Sequence, residues 1–254
     1  MTVAQFHHPA FPQPATPTAA IWRYLTRSKF EWLVKEGRLF FPNAANLGDP
    51  LEGTQPIGDA NWWRELGRQA ASDDQRQIIA NNHHRISRFA RAFRTRYYVS
   101  CWHINEAENP AMWDLYAPGL ESIAIRTTVA KLRLALPAYV EIGVVRYIDY
   151  AVERLPTLNM FQYITHKNKA FEHEQELRAV ALHPILDGPD KRHFESNFFE
   201  SERQPGTFVF APAVDLAALV EDVVLRPDAP ALFAQDIDAL RAKSPLPALR
   251  RASW

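Results

Sequence analysis

Three glutamates, Glu172, Glu174 and Glu176, occupy alternate positions in the stretch Lys169–Leu182, KAFEHEQELRAVAL, just ahead of an apolar run. In a helix, residues two apart diverge around the axis, and the carboxylates would decorate a solvated surface. In a strand they would share one face and repel each other. Such crowding is either plain solvation or a device that holds carboxyl groups toward a ligand. Two further acids, Asp49 and Glu52, lie in the loop NAANLGDPLEG. Gathered in space, Asp49, Glu52, Glu174 and Glu176 could hold Mg²⁺, with Lys169 assisting, which is the chemistry of a metal-dependent nuclease. The bland alternatives are concrete. Arg178, on the same alternate-residue face, can pair with Glu174 and Glu176, Asp49 and Glu52 can begin a helix cap, and Glu172 is a solvated charge.

Composition sets wide bounds. The chain has 254 residues, enough for one large domain or two small ones, and its 47% hydrophobic and 23% charged content is that of an ordinary soluble globular protein. Lysine plus arginine equals aspartate plus glutamate at 29 each, so no global field selects nucleic acid or a membrane surface. One cysteine, Cys101, excludes an intramolecular disulfide framework and a cysteine-based zinc site, and fits a reducing cytoplasm. No apolar run approaches the ~20 residues that span a bilayer, and the first residues lack a signal-peptide pattern.

The elements that must position these side chains follow from pattern. Residues 1–19, with four prolines, read as a flexible arm. IWRYL (Ile21–Leu25) reads as a strand. SKFEWLVKEG reads as a helix with a capping box, Ser28 and Glu31, and a Gly37 stop. RLFFP (Arg38–Pro42) reads as a second short strand. Residues 61–96 form a helical insertion, broken near Ser72–Asp74, with eight arginines between Arg64 and Arg96. That tract is either a solvated helix face or a surface for nucleic acid or another anionic partner. YYVSCW is a strand. NPAMWDLYA is a short helix with Asn109 as cap and Pro110 at its first position. Strands over 122–128 and 139–149 flank a helix, VAKLRLAL. A helix over about 157–170 leads to the glutamates, and a strand follows from Leu177. Strands near 207–212, 220–227 and 248–254 and a helix over 229–244 complete the chain. No GxGxxG or GxxxxGK loop is present among only nine glycines. The fold class is α+β, a single mixed-sheet domain over 20–254 with an inserted helical arm.

Several motifs together resemble a bacterial family catalogued as domain of unknown function 2971: IWRYL, DPLEG (Asp49–Gly53), VSCWH (Val99–His103), AMWDLYA (Ala111–Ala117), KAFEHEQELR (Lys169–Arg178), LVEDVVLRPDAP and RRASW. One departure is Gly48, where that family tends to carry asparagine. The order of polar groups also resembles ADP-ribosyltransferases, which mount an Arg or His, a Ser or Tyr and a Glu on successive strands of a split sheet. Here these would be Arg23, Ser100 and Glu176. Ser100 departs from that pattern, being followed by Cys101 and Trp102 rather than a second hydroxyl.

The resemblance implies NAD as substrate and an unidentified macromolecular target. Glu176 would stabilise an oxocarbenium-like centre and Glu174 would position or deprotonate an acceptor. Arg23 would hold the pyrophosphate and Ser100 would orient the nicotinamide, with Trp102, Trp113 or Tyr116 as stacking walls. Read without that resemblance, Arg23 forms a salt bridge to Asp49 or Glu52, Trp113 and Tyr116 are core, and Cys101 is an inert buried thiol. A binding or sensor module then remains a third possibility.

Overall fold

The computed structural model describes residues 7–182 and 210–253. It is an α+β fold built on one seven-stranded sheet. Strand β1 (Ala20–Thr26) runs directly into helix α1 (Arg27–Glu36). The helix stops at Gly37, whose φ of 59° suits glycine and whose N–H returns to the Leu33 carbonyl. The expected capping box does not form. Thr26 is the N-cap and its hydroxyl meets that of Ser28 at 3.2 Å rather than a backbone N–H, while Glu31 pairs with Arg27 at 2.7 Å.

Residues 38–42 are not the expected strand. They make only isolated bridges, Arg38 with Ala213 and Phe41 with Phe210, and Asn43 then bridges to Tyr98. Pro42 has no N–H to give a ladder, but its carbonyl accepts from Val99 at 2.9 Å. The helical insertion is a pair, α2 (Ile57–Arg68) and α3 (Asp73–Arg94), beginning four residues before the expected start. Ser72 caps α3 through Gln75 N–H at 3.2 Å.

Next come β2 (Tyr97–Ile104), α4 (Pro110–Tyr116), β3 (Ser122–Thr128) and α5 (Val129–Ala135). Asn109 caps α4 through Ala111 N–H, with Pro110 at the first helical position. The expected strand over 139–149 is two shorter ones, β4 (Glu141–Val144) and β5 (Arg146–Ile148). The expected helix over 157–170 shrinks to one turn, α6 (Gln162–Thr165), followed by β6 (His166–Asn168) and a 3₁₀ turn, Lys169–Glu174. Polar side chains compete with the helix there: Asn159 accepts from Phe161 N–H and Asn168 from Ala170 N–H. Strand β7 (Glu176–Leu182) follows. After the described residues resume come a one-turn helix (Leu216–Leu219), β8 (Asp222–Leu225), a helix (Ala231–Arg241) and β9 (Leu249–Arg251). Of the strand expected at 207–212, residues 207–209 lie outside the described residues, and Phe210 makes only its bridge.

The sheet order is β4-β7-β2-β1-β3-β8-β9, antiparallel except for the β8–β9 pair, and β5 and β6 form a separate parallel pair. One seam is incomplete. β1 pairs with β3 along seven residues, and β2 with β7 along seven, yet β1 and β2 register only at Ile21–Ile104 and Trp22–His103. The strands therefore diverge beyond Trp22 and His103, and the sheet is split.

The expected flexible arm is packed from residue 7 onward. Ala10 and Phe11 are buried, and Phe11 joins the core beneath Ile164 and Val180. Pro12 accepts from Val144 N–H at 2.8 Å and Gln13 donates to the Ile142 carbonyl at 2.8 Å, so this segment covers the edge strand β4. A Cβ at Gly143 would lie 2.8 Å from the Phe11 backbone, so Gly143→Ala should force the segment off the edge. We expect a loss of about 1–3 kcal/mol in chemical denaturation and faster proteolysis near residue 11. A Cβ at Gly48 meets nothing within 4 Å, and Gly48→Ala should leave the midpoint unchanged.

Candidate functional site

A strained turn presents the glutamates. Gln175, with φ 40°, is the one non-glycine residue at positive φ among the described residues, and it stands between the 3₁₀ turn and β7. The Glu174 carbonyl accepts from His103 Nδ1 at 2.7 Å, while Asn109 approaches His103 Nε2 at 3.4 Å. His103 thus holds the turn and is not free to act as a base. The Glu176 backbone N–H donates to the Tyr147 hydroxyl at 2.9 Å. Glu172 is exposed, as expected of a solvated charge.

Glu174 and Glu176 are each 4% exposed and meet two buried cations. Lys167 donates to Glu174 Oε2 and to Glu176 Oε1, both at 2.5 Å. Arg178 donates through Nε to Glu176 Oε2 at 2.6 Å and through Nη1 to the Ile164 carbonyl at 2.9 Å. Its remaining nitrogen pairs with Glu52, whose other oxygen lies 3.9 Å from Lys167. Tyr116 donates to Glu174 Oε2 at 2.5 Å. Three carboxyl groups therefore surround two cations. With all three ionised the cluster carries one net negative charge, and with a proton on Glu174 it is neutral.

The titration behaviour follows from burial and from the charges nearest each group. Burial and the neighbouring Glu176, to which it hydrogen-bonds, push Glu174 up to about 7. Burial would also raise Glu176, but Arg178 and Lys167 outweigh it and hold that carboxyl well below the usual range. Lys167 is raised, because Glu176 and Glu52 overcome its desolvation. Burial and then Glu176 push Tyr116 upward, so its hydroxyl stays protonated and donates.

A cleft of about 760 Å³ opens at the split seam. Four consecutive residues of β1, Trp22 to Leu25, line it, together with Val99, Cys101, Trp102 and His103 of β2. Successive strand residues point to opposite faces, so only a cleft that passes through the sheet can meet them all. Arg23, Trp102, Tyr116, Glu174 and Glu176 of the expected set line it. The expected salt bridge from Arg23 to Asp49 or Glu52 is absent: Arg23 donates to the Phe40 carbonyl at 2.8 Å and lies 5.8 Å from the Trp102 ring centre. It has no carboxylate partner among the described residues, and burial lowers it to about 10.

Other expectations are corrected. Ser100 does not line the cleft; its hydroxyl is fully buried against Trp102 Nε1 at 3.0 Å. Trp113 is fully buried in the core beside Trp22 and Tyr24, and is no stacking wall. Lys169 is exposed, and the lysine at the carboxylates is Lys167, which the sequence did not single out. Asp49 builds the turn that carries Glu52: it accepts from Leu51 N–H at 2.8 Å, and its carbonyl accepts from Arg94 at 3.3 Å. No group of three His, Cys, Asp or Glu among the described residues is disposed to hold a metal ion, since Glu52, Glu174 and Glu176 close on Lys167 and Arg178 instead. Cys101 lines the cleft, and burial raises its thiol, so it lacks the thiolate character of a nucleophile.

The arginines of the helical pair are divided in their contacts. Arg68 and Arg76 pair with Glu65 and Asp73, Arg94 binds the Asp49 loop, and Arg96 is buried. No helix among the described residues is long and apolar enough to cross a membrane. The chain matches no protein-family model, no curated protein and no solved structure.

Two substitutions test the network. Arg178→Gln leaves Glu52 and Glu176 buried without their shared cation and should cost about 3–5 kcal/mol by denaturant titration. Glu174 behaves in the opposite way. The folded protein holds a proton on it up to about pH 7 that the unfolded chain releases near pH 4.5, so its contribution weakens as pH rises through that window. Glu174→Gln should therefore raise the melting temperature by roughly 3–6 °C at pH 8 and have little effect at pH 5.

Proposed function

We propose that the protein is an NAD-consuming enzyme that breaks the bond between nicotinamide and ribose and passes the ADP-ribosyl group to a hydroxyl, from water or a macromolecular target. The observation that carries this reading is the split between β1 and β2. It brings an arginine with no carboxylate partner among the described residues, an aromatic wall and a buried carboxylate pair to one cleft large enough for a dinucleotide. The order of Arg23 and Glu176 along the chain, which resembles that of ADP-ribosyltransferases, points the same way.

The chemistry assigns each group a task. As the glycosidic bond breaks, its electron pair leaves with nicotinamide, and positive charge develops on the ribose ring. The cluster around Glu176 offers a net negative charge to that centre once Glu174 is ionised. Glu174 then takes the proton of the attacking hydroxyl as its oxygen bonds to the anomeric carbon. Arg23 supplies a charged fork for the pyrophosphate, and Trp102 backs it. Lys167 and Tyr116 hold the carboxylates in place. The exposed arginines Arg85 and Arg91 of α3 offer an accessory surface to an anionic target.

The test is nicotinamide release from NAD by purified protein, with and without cell lysate. Wild type should release it, with a rate that climbs between pH 6 and 8 around a midpoint near 7 as Glu174 loses its proton. Glu176→Gln should lower the rate by at least about a hundredfold while melting cooperatively, since it removes charge stabilisation of the transition state. Unchanged release in a folded Glu176→Gln protein would refute the assignment.

A further inference from the structure

The cleft has a second end that the carboxylates do not touch. Helix α1 packs on the face of the sheet that carries Ile21, Leu25 and Trp102, whereas Glu176 pairs with His103 on the other face. On the α1 side the lining includes Lys29, Trp32, Arg38 and Phe40. Trp32 and Phe40 meet edge to face at 5.8 Å, and Phe40 is 41% exposed, so together they leave an open aromatic shelf. Lys29 and Arg38 flank it. Arg38 is anchored through the Ala211 carbonyl at 2.8 Å, and neither residue has an acidic partner among the described residues. The first turn of α1, which holds Ser28 and Lys29, contains no acidic residue and has no side-chain cap. Its backbone N–H groups add positive potential on the same side.

Charge counting makes this end specific. Among the described residues the lining carries Arg23, Lys29 and Arg38, while its carboxylates, Glu174 and Glu176, lie on the far face, where Lys167 and Arg178 offset all but one of the cluster's charges. The pyrophosphate of a plain dinucleotide can occupy Arg23 and one neighbour, which leaves a cation beside the aromatic shelf without an anion. An aromatic shelf flanked by surplus positive charge suits a stacked base whose ribose carries a phosphate monoester.

We propose that Lys29, Trp32, Arg38 and Phe40 form a subsite for a 2′-phosphorylated purine nucleoside, so that the cleft prefers a phosphorylated dinucleotide, NADP, to NAD. This deepens the reading of the cleft as a dinucleotide site and rests on it for the other half of the ligand. Trp32 and Phe40 stack the base. Lys29 and Arg38 select the monoester, and Arg23 stays with the pyrophosphate.

Calorimetric titration of the wild-type chain with two fragments lacking nicotinamide, AMP and adenosine 2′,5′-bisphosphate, isolates the subsite from any chemistry at the carboxylates. The bisphosphate should bind at least about fivefold more tightly than AMP, as one or two charge-assisted contacts allow. The double substitution Lys29→Gln, Arg38→Gln should abolish that preference without weakening AMP. Trp32→Ala should weaken both fragments alike. The residues lie at the surface of α1 and the segment after it, so the variants should fold, and their melting curves verify this. Equal affinity for the two fragments, or a preference that survives the double substitution, overturns the subsite while leaving the dinucleotide reading intact if NAD still binds. Failure of NAD, NADP and both fragments to bind overturns both.

Discussion

The buried ion network of Glu52, Glu174 and Glu176 around Lys167 and Arg178 is the constraint on which the rest of the structure depends. Five charged residues, all at most 5% exposed, come from the loop after Asp49, from β6, from the 3₁₀ turn and from β7. Taking such groups out of water costs several kcal/mol each, which is recovered only when every partner is in place. The network therefore tolerates one arrangement of four chain segments and rejects near misses. A one-residue slip of β7 against β2 would turn Glu176 and Arg178 toward Trp102 and the apolar core. The surrounding contacts read as supports for this single geometry: Asn43 and Asp49 shape the loop that delivers Glu52, and His103 fixes the Glu174 carbonyl.

The open seam is the second half of the same design. Separating β1 from β2 leaves backbone groups that must find other partners. On β2 the segment after α1 takes this role, with Pro42 accepting from Val99 and Asn43 bridging to Tyr98. That explains why residues 38–42, rich in strand formers, do not make a regular strand. They are stretched between β2 on one side and residues 210–213 on the other, and they wall the cleft as they pass. Arg23 and Glu176 belong to opposite faces of the sheet, and no intact sheet would let one ligand reach both.

Part of this was legible in the sequence. The entry of Glu176 into a strand, the Asn109 cap, the Gly37 stop and the break between the two arm helices are local features, and local chemistry located them. Arg178, two residues along the strand, was legible as a partner of Glu176, but the other cation was not. Lys167 was hidden inside what read as a helix, since YITHKNK carries no breaker stronger than asparagine, and the competition of Asn159 and Asn168 side chains for backbone N–H groups shows only in three dimensions. Lys169 and Lys167 look alike in sequence, and the 3₁₀ turn decides which one is buried. Ser100 was misplaced for a different reason. Its alternate-residue neighbours in β2 are Tyr98 and Trp102, so period-two reasoning puts all three on one face, opposite Cys101 and His103. Counting faces against Glu176 would have excluded it, whereas Arg23 escapes the same exclusion only because the seam is split.

Glu52 has the most distant effect of any of these residues. It lies away from the cleft lining, behind Arg178, yet it decides the charge that the cleft feels. With only Glu174 and Glu176 facing Lys167 and Arg178, the cluster would be neutral when both were ionised, and it could offer little to a developing cation. The third carboxylate tips the balance by one charge, while burial and the neighbouring Glu176 keep a proton on Glu174 near neutral pH. The same excess charge that makes the folded state less comfortable as pH rises is the charge available to a positive centre in the cleft. On the proposed reading, stability and chemistry are thus set against each other at one carboxyl group, Glu174.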